Sequence, residues 1–165
     1  MIRDARVQDA AAIAAIWNPV IRETAITFNS IEKSPEEIAA LIAAREAEGL
    51  GFFVAEEGGG AISGFATYFQ FRGGVGYARS MEHTVILAPQ ARGHGLGRRL
   101  MAHLEAHAAA RGAHSIFAGV SSGNPAGRAF HARLGYEEVA VLREVGFKFG
   151  RWFDLHLMQK FLTPP

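Results

Sequence analysis

The chain has 165 residues, no cysteine, and a hydrophobic share of 49% against 20% charged. This is the make-up of one globular domain with a real core, and it excludes a disulfide framework, thiolate metal sites and a cysteine nucleophile. The net charge of +1 hides an asymmetry: residues 1–60 hold five Lys/Arg against ten Asp/Glu, and residues 61–165 hold twelve against six.

Ile2-Arg3-Asp4 reads as a short opening strand. Asp9 precedes Ala10, Ile13, Ile16, Trp17, Val20 and Ile21, the spacing of one helix face with Asp9 as N-cap. Thr24 to Asn29 is expected as a loop. Ser34-Pro35-Glu36-Glu37 is a capping box with proline at the first helical position, and the helix turns Ile38, Leu41 and Ile42 inward before stopping near Gly49. Phe52 to Glu57 is a strand, Gly58-Gly59-Gly60 a hairpin turn, and Ile62 to Phe71 the returning strand. Arg72 to Gly76 is a second glycine-rich turn, and Tyr77 to Ala88 the central strand.

That strand runs into Arg92-Gly93-His94-Gly95-Leu96-Gly97 and then a helix with Leu96, Leu100, Leu104 and Ala108 inward, ending at Gly112. Ser115 to Val120 is an apolar strand. Asn124-Pro125 reads as N-cap plus first helical residue, with Ala126, Phe130 and Leu134 inward up to Gly135. Tyr136–Val145 and Arg151–Phe161 alternate as strands joined by a turn over Gly146–Gly150, and Thr163-Pro164-Pro165 is a tail. The order β-α-α-β-β-β-α-β-α-β-β implies one α/β domain over residues 1–165. Its sheet is mixed, antiparallel first, with a parallel crossover in the middle.

A strand leading through glycines into a helix presents unpaired amides and the positive end of the helix dipole, which suits an anion. Arg98 and Arg99 stand in the first helical turn, where the dipole disfavours cations, so a polyanion is expected there to offset them. A small anion fits the basic part of the chain, and no dense basic run interleaved with aromatics points to nucleic acid. No stretch has the length and apolarity of a membrane span, and the N-terminus lacks a signal-peptide core. No membrane partner is therefore expected, and the cytoplasm is the expected compartment. The P-loop pattern is absent, and the spacing G-x-G-x-G departs from the dinucleotide pattern G-x-G-x-x-G.

What remains, Arg92-x-x-Gly95-x-Gly97 after a strand and opening a helix, resembles the pyrophosphate-binding motif of the GNAT N-acetyltransferases. Glu82-His83-Thr84-Val85, Ala25 to Asn29, Phe130-His131-Ala132-Arg133-Leu134-Gly135-Tyr136 and Gly146 to Leu155 extend the resemblance to the phosphinothricin and methionine sulfoximine N-acetyltransferases, over almost the whole chain. Lys148 to Trp152 is similar to the methionine sulfoximine branch, and Thr27-Phe28-Asn29 to the phosphinothricin branch.

The resemblance implies a GNAT fold, a mixed sheet of about seven strands flanked by about four helices. It implies direct acetyl transfer from acetyl-CoA to the α-amino group of a small amino-acid-like substrate, in a homodimer with a detoxifying role and with no metal. The diphosphate falls to the backbone of Arg92, Gly93, His94, Gly95, Leu96 and Gly97, with Arg98 in the same turn. The pantetheine arm falls to Val85, Ile86 and Leu87, with Asn124 nearby.

Glu82, a carboxylate in an otherwise apolar strand, is the candidate general base. His131 is the candidate for a second proton-handling role. Phe130 stands at or beside the position where many of these enzymes carry a tyrosine, and it has no proton to donate. Arg72 and Arg79 form a candidate fork for a carboxylate or phosphinate, and Phe28, Phe71 and Phe149 are candidate pocket walls. Two alternatives stay open: acetylation of another amine (a polyamine or a protein N-terminus), and a non-catalytic acyl-CoA sensor on the same fold.

Overall fold

The structure is a computed structural model that describes residues 1–162; the tail Thr163-Pro164-Pro165 lies outside the described residues. Strands β1 (Ile2–Asp4), β2 (Phe52–Glu56), β3 (Ile62–Gln70), β4 (Ser80–Leu87), β5 (Ser115–Ser121), β6 (Glu137–Lys148) and β7 (Arg151–Phe161) form one sheet. Its order is β1-β2-β3-β4-β5-β7-β6. All neighbours run antiparallel except β4 and β5, which are parallel, as a crossover through a helix requires. The helices are α1 (Ala10–Glu23), α2 (Pro35–Ala47), α3 (Leu96–Ala110) and α4 (Pro125–Arg133). None of the described helices is long and apolar enough to cross a membrane.

Strand alternation divides the core. On β2, Phe52 and Val54 join Ile13, Trp17, Ile21, Ile38 and Ile42 of α1 and α2, while Phe53 and Ala55 join Leu100, Met101 and Leu104 of α3 on the opposite face. On β4, Met81 and Val85 belong to the α3 face and Ile86 to the α1/α2 face. The central strand therefore looks into both layers.

Local signals account for the helix starts. Ser34 Oγ accepts from Glu37 N at 3.1 Å, and Ser34 N donates to Glu37 Oε2 at 2.7 Å, a complete capping box. Asn124 Oδ1 accepts from Gly127 N at 3.0 Å. Asp9 occupies the N-cap position of α1 without capping it. Its carboxylate instead accepts from Arg6 N and pairs with Arg3, because a short 3₁₀ turn over Val7–Asp9 intervenes.

Three expectations shift. Val75–Tyr77 is a 3₁₀ turn, so the central strand begins at Ser80; the glycines on either side leave too little regular backbone to extend it. β6 continues through Gly146 to Lys148, and the turn is only Phe149-Gly150, both at positive φ (53° and 72°). That pair of signs belongs to the two-residue hairpin turn that follows strand twist. On α4 the buried residue is His131, whereas Ala126 is exposed and Phe130 and Leu134 are only partly buried.

Candidate active site

β4 and β5 pair only at Ser80↔Ser115, Met81↔Ile116 and Glu82↔Phe117. Beyond that point β5 stays with β7 as far as Ser121, and β4 stays with β3 as far as Leu87. The two parallel strands splay apart from Glu82 onward.

The direction of the freed backbone follows from two bonds. Ser80 O accepts from Phe71 N, and Ala88 N donates to Ser63 O, each at 2.9 Å. Even-numbered residues of β4 thus turn their backbone groups toward β3, and odd-numbered ones turn theirs toward β5. Val85 and Leu87 lie past the last β5 pair and face the gap. The Leu87 carbonyl is partly engaged by the Arg92 guanidinium, at 3.3 and 3.4 Å.

A cavity of about 220 Å³ opens over this edge, lined by Val20, Ile26, Val85, Ile86, Leu87, Arg92, Gly97, Asn124, Ala126, Gly127, Phe130 and His131. It abuts a second cavity of about 390 Å³ that shares Ile26, Val85, Ile86, Asn124 and His131 and adds Trp17, Thr27, Phe28, Asn29, Glu82, His83, Gly119 and Leu155.

At the far end of β4 the chain turns through Gly93 (φ 81°) and Gly95 (φ 75°) into α3. Both φ values lie in the region that glycine occupies without steric cost. The first helical bond runs from Arg99 N to Gly95 O at 3.2 Å, so the amides of Leu96, Gly97 and Arg98 precede the ladder. Gly97 has a second reason to be glycine: a Cβ there would stand 3.2 Å from the Phe130 ring.

Glu82 projects from the splay point. A Cβ on Gly119 would lie 2.9 Å from Glu82 Oε1, so the missing side chain on β5 makes room for the carboxylate. Burial pushes the Glu82 carboxyl above the ordinary glutamate value.

His131 enters from α4. Its Nδ1 lies 2.7 Å from Gly127 O, and a carbonyl only accepts, so Nδ1 carries the proton and Nε2 is left as a buried lone pair with no described partner. Burial lowers the His131 pKa. His83, on the opposite face of β4 from its neighbour Glu82, has its ring centroid 5.0 Å from that of His131. Both of its ring nitrogens are buried and without a described hydrogen bond, and burial, with His131 adding to it, pushes its pKa well below the ordinary histidine value. Both imidazoles are neutral at pH 7. Composition and spacing offered no signal for His83, because its buried surroundings are supplied by α4 and by Tyr136.

The structure thus gathers Glu82, His131, Asn124, Val85, Ile86 and Phe28 around one cavity, with Leu87, Arg92 and Gly97 around its neighbour. His94 and Leu96 line a separate surface recess with Arg99. The remaining candidates lie elsewhere. Arg72 and Arg79 are exposed and line neither cavity; Arg72 sits over Tyr77, and Arg79 O accepts from His114 N. Phe71 stacks on Phe117 at 4.3 Å, and Phe149 is exposed at the hairpin turn. His103 and His107, four apart on α3, meet Phe53 edge-on, and His107 Nδ1 bonds Tyr68 OH at 2.9 Å.

Residues 2–157 match the acetyltransferase (GNAT) domain. The chain is 37% identical over 163 residues to an L-methionine sulfoximine/L-methionine sulfone acetyltransferase of Pseudomonas paraeruginosa, covering 99% of this chain and 95% of that one. It is 36% identical to a phosphinothricin N-acetyltransferase of Streptomyces coelicolor, covering 93% and 91%. Among solved structures, yncA of Salmonella typhimurium, determined with its cofactor acetyl-CoA, superposes with a TM-score of 0.95 at 36% identity, covering 100% of this chain and 95% of that one.

Proposed function

Since this chain belongs to the GNAT acetyltransferase family, we propose that it moves acetyl from acetyl-CoA onto the α-amino group of a small amino-acid-like acceptor of the methionine sulfoximine, methionine sulfone or phosphinothricin type. The observation that carries this reading is the splay of β4 from β5, which sets a strand edge, an apolar channel and the half-buried Glu82 side by side.

The residues fit acetyl-CoA. The outward backbone of Val85 and Leu87 offers strand-like bonds to the amides of the pantetheine arm, above an apolar floor. The turn from Arg92 to Gly97, with Arg98 beside it, offers amides and positive charge to the diphosphate. When bound, acetyl-CoA supplies an acetyl group activated as a thioester.

The chain handles the protons. Glu82 takes one from the acceptor ammonium, directly or through a water, and burial tunes it for that task by raising its affinity for a proton. His131 lines both cavities, and with its Nδ1 proton held by Gly127 O its buried Nε2 is, in the resting neutral form, an acceptor and not a donor of a hydrogen bond. Asn124 lines both cavities while capping α4, which fixes where α4 and its histidine sit. No residue of the chain carries the acetyl group in this scheme.

We assign a homodimer joined through β6, an edge strand with Val139, Val141, Leu142, Val145 and Phe147 exposed. We further assign a detoxifying role in the cytoplasm. The test is acetyl-CoA-dependent thiol release across a panel of amino acids, their sulfone and sulfoximine analogues, and polyamines. Stimulation by the amino-acid analogues supports the reading. Binding of acetyl-CoA without release by any amine overturns it.

A further inference from the structure

A ring nitrogen cut off from water is costly to leave unpaired, so unpaired ones are rare. Three of them lie in one place here: Nδ1 and Nε2 of His83 and Nε2 of His131. Both residues are 7% exposed, and none of the three atoms is within reach of water. We propose that His83 is the positioning residue of His131: its ring N–H is the donor to His131 Nε2, so that the two imidazoles act as one unit in the wall shared by both cavities. The bond stands on the geometry alone, and its effect on acetyl transfer rests on the reading given under Proposed function.

The count of donors and acceptors comes first. Burial keeps both rings neutral, and a neutral imidazole has one N–H and one bare nitrogen. His131 spends its N–H on Gly127 O at 2.7 Å, so it brings an acceptor without a donor. His83 brings a donor without an acceptor. Three rings pack on that of His131. Phe130 meets it edge-on and has no polar atom. Tyr136 also meets it edge-on and turns its hydroxyl away, to Glu105 Oε1 at 3.0 Å. His83 is the third, and the one with an N–H to give.

Distance decides between a direct bond and a bridge. An imidazole nitrogen stands about 1.1 Å from its ring centre, so a direct N–H···N bond of about 3 Å sets two centroids about 5 Å apart. The centroids of His83 and His131 are 5.0 Å apart, with the rings tilted by 31°. A water bridge would need room at nitrogens that water does not reach. The rings thus stand at bonding distance without being aligned, and χ2 of histidine is a broad torsion, so turning one ring costs little. The bond leaves one nitrogen of His83 bare. It also ties α4 to the strand that carries Glu82, and so sets His131 against Glu82 around the cavity that both line.

The first experiment is NMR on the full wild-type chain with ¹⁵N-labelled histidine. His131 is expected as the tautomer with the proton on Nδ1. The His83 N–H should be protected from exchange with water and should show a ¹⁵N–¹⁵N coupling to His131 Nε2 across the hydrogen bond, which packing alone does not produce. The second experiment is acetyl transfer by His83→Leu, which has no donor, and by His83→Asn and His83→Gln, whose amides donate from the two positions of the ring nitrogens. His83→Leu should lower kcat by roughly 3- to 10-fold, the worth of one neutral hydrogen bond, with acetyl-CoA binding unchanged. One of the two amide variants should restore most of that loss.

A His83 N–H that exchanges freely or shows no coupling to His131 overturns the inference, and this arm decides the matter if the variants fail to fold. A coupling found together with a His83→Leu enzyme of unchanged kcat overturns the positioning role. So does a loss of kcat that neither amide variant restores, which marks packing only. A wild type that releases no thiol with any amine overturns the function proposed above and leaves the coupling as the test of the bond.

Discussion

The two walls of this site are built in opposite ways. The wall assigned to acetyl-CoA comes from one continuous stretch, β4 through the glycine turn into α3, and it works mainly through backbone groups whose directions are fixed by strand and helix geometry. The wall assigned to the acceptor joins the segment after α1 to the β6–β7 hairpin, where Lys148 Nζ donates to the carbonyls of Ile21, Thr27 and Asn29 across up to 127 residues. A local wall tolerates side-chain change as long as its backbone torsions survive. A composite wall depends on a few side chains that nothing nearby can replace.

The comparison is tested most severely where the walls meet, at Glu82. Glu82→Gln is expected to lower kcat by roughly 10²- to 10⁴-fold, the usual worth of a positioned general base, with acetyl-CoA binding intact. The wild-type kcat/KM should fall as pH drops through the raised Glu82 value. The stability sign runs the other way. A carboxyl whose folded pKa is raised contributes stability that is complete below the unfolded value and is lost as pH rises through the folded one. Glu82→Gln should therefore melt above wild type at neutral pH, with the difference closing in acid; an unchanged melting temperature at both ends would remove burial as the tuning force.

Next in size is Gly119→Ala, whose Cβ would meet Glu82 Oε1 at 2.9 Å. Moving the carboxylate by a fraction of an ångström to an ångström should reduce kcat by up to about 100-fold while leaving the fold intact, as checked by circular dichroism alongside steady-state rates.

On the local wall, Gly95→Ala adds a Cβ that meets nothing within 4 Å but sits at φ 75°. It should cost about 1–2 kcal/mol in stability by denaturant titration and raise the acetyl-CoA KM, with the acceptor KM unchanged. A rise in the acceptor KM would show the two walls to be coupled. The smallest effect belongs to Asn124→Ala, which loses the α4 cap and about 1 kcal/mol of stability, read from the same titration.

What a reader of the sequence can see follows the same division. Ser34 to Glu37, the turn from Arg92 to Gly97 and Asn124-Pro125 each carry their meaning within a few residues, and element order needs only such signals. Glu82 could be suspected because a carboxylate interrupts an apolar strand. The inward stripe expected for α4 left out His131, since an imidazole counts as polar until His83 and Tyr136 are seen around it. Lys148 carried no legible signal: a lysine in a glycine-aromatic stretch gives no sign that it reaches carbonyls from the other end of the chain. Arg72 and Arg79 are exposed and line neither cavity, because closeness in sequence across a turn does not by itself aim side chains at a common point.

The sheet order has a consequence for synthesis. β7 lies between β5 and β6, so the strand that completes the inner sheet emerges after all the others. A ribosome that has released everything through β5 has already delivered the glycine turn and the helix behind it, yet β5 still has a bare edge, and the segment after α1 still lacks the lysine that will grip it. The cofactor wall can form early on the nascent chain. The acceptor wall waits for β6 and β7, and during that interval the open edge of β5 is the part of the chain most exposed to pairing with a neighbour.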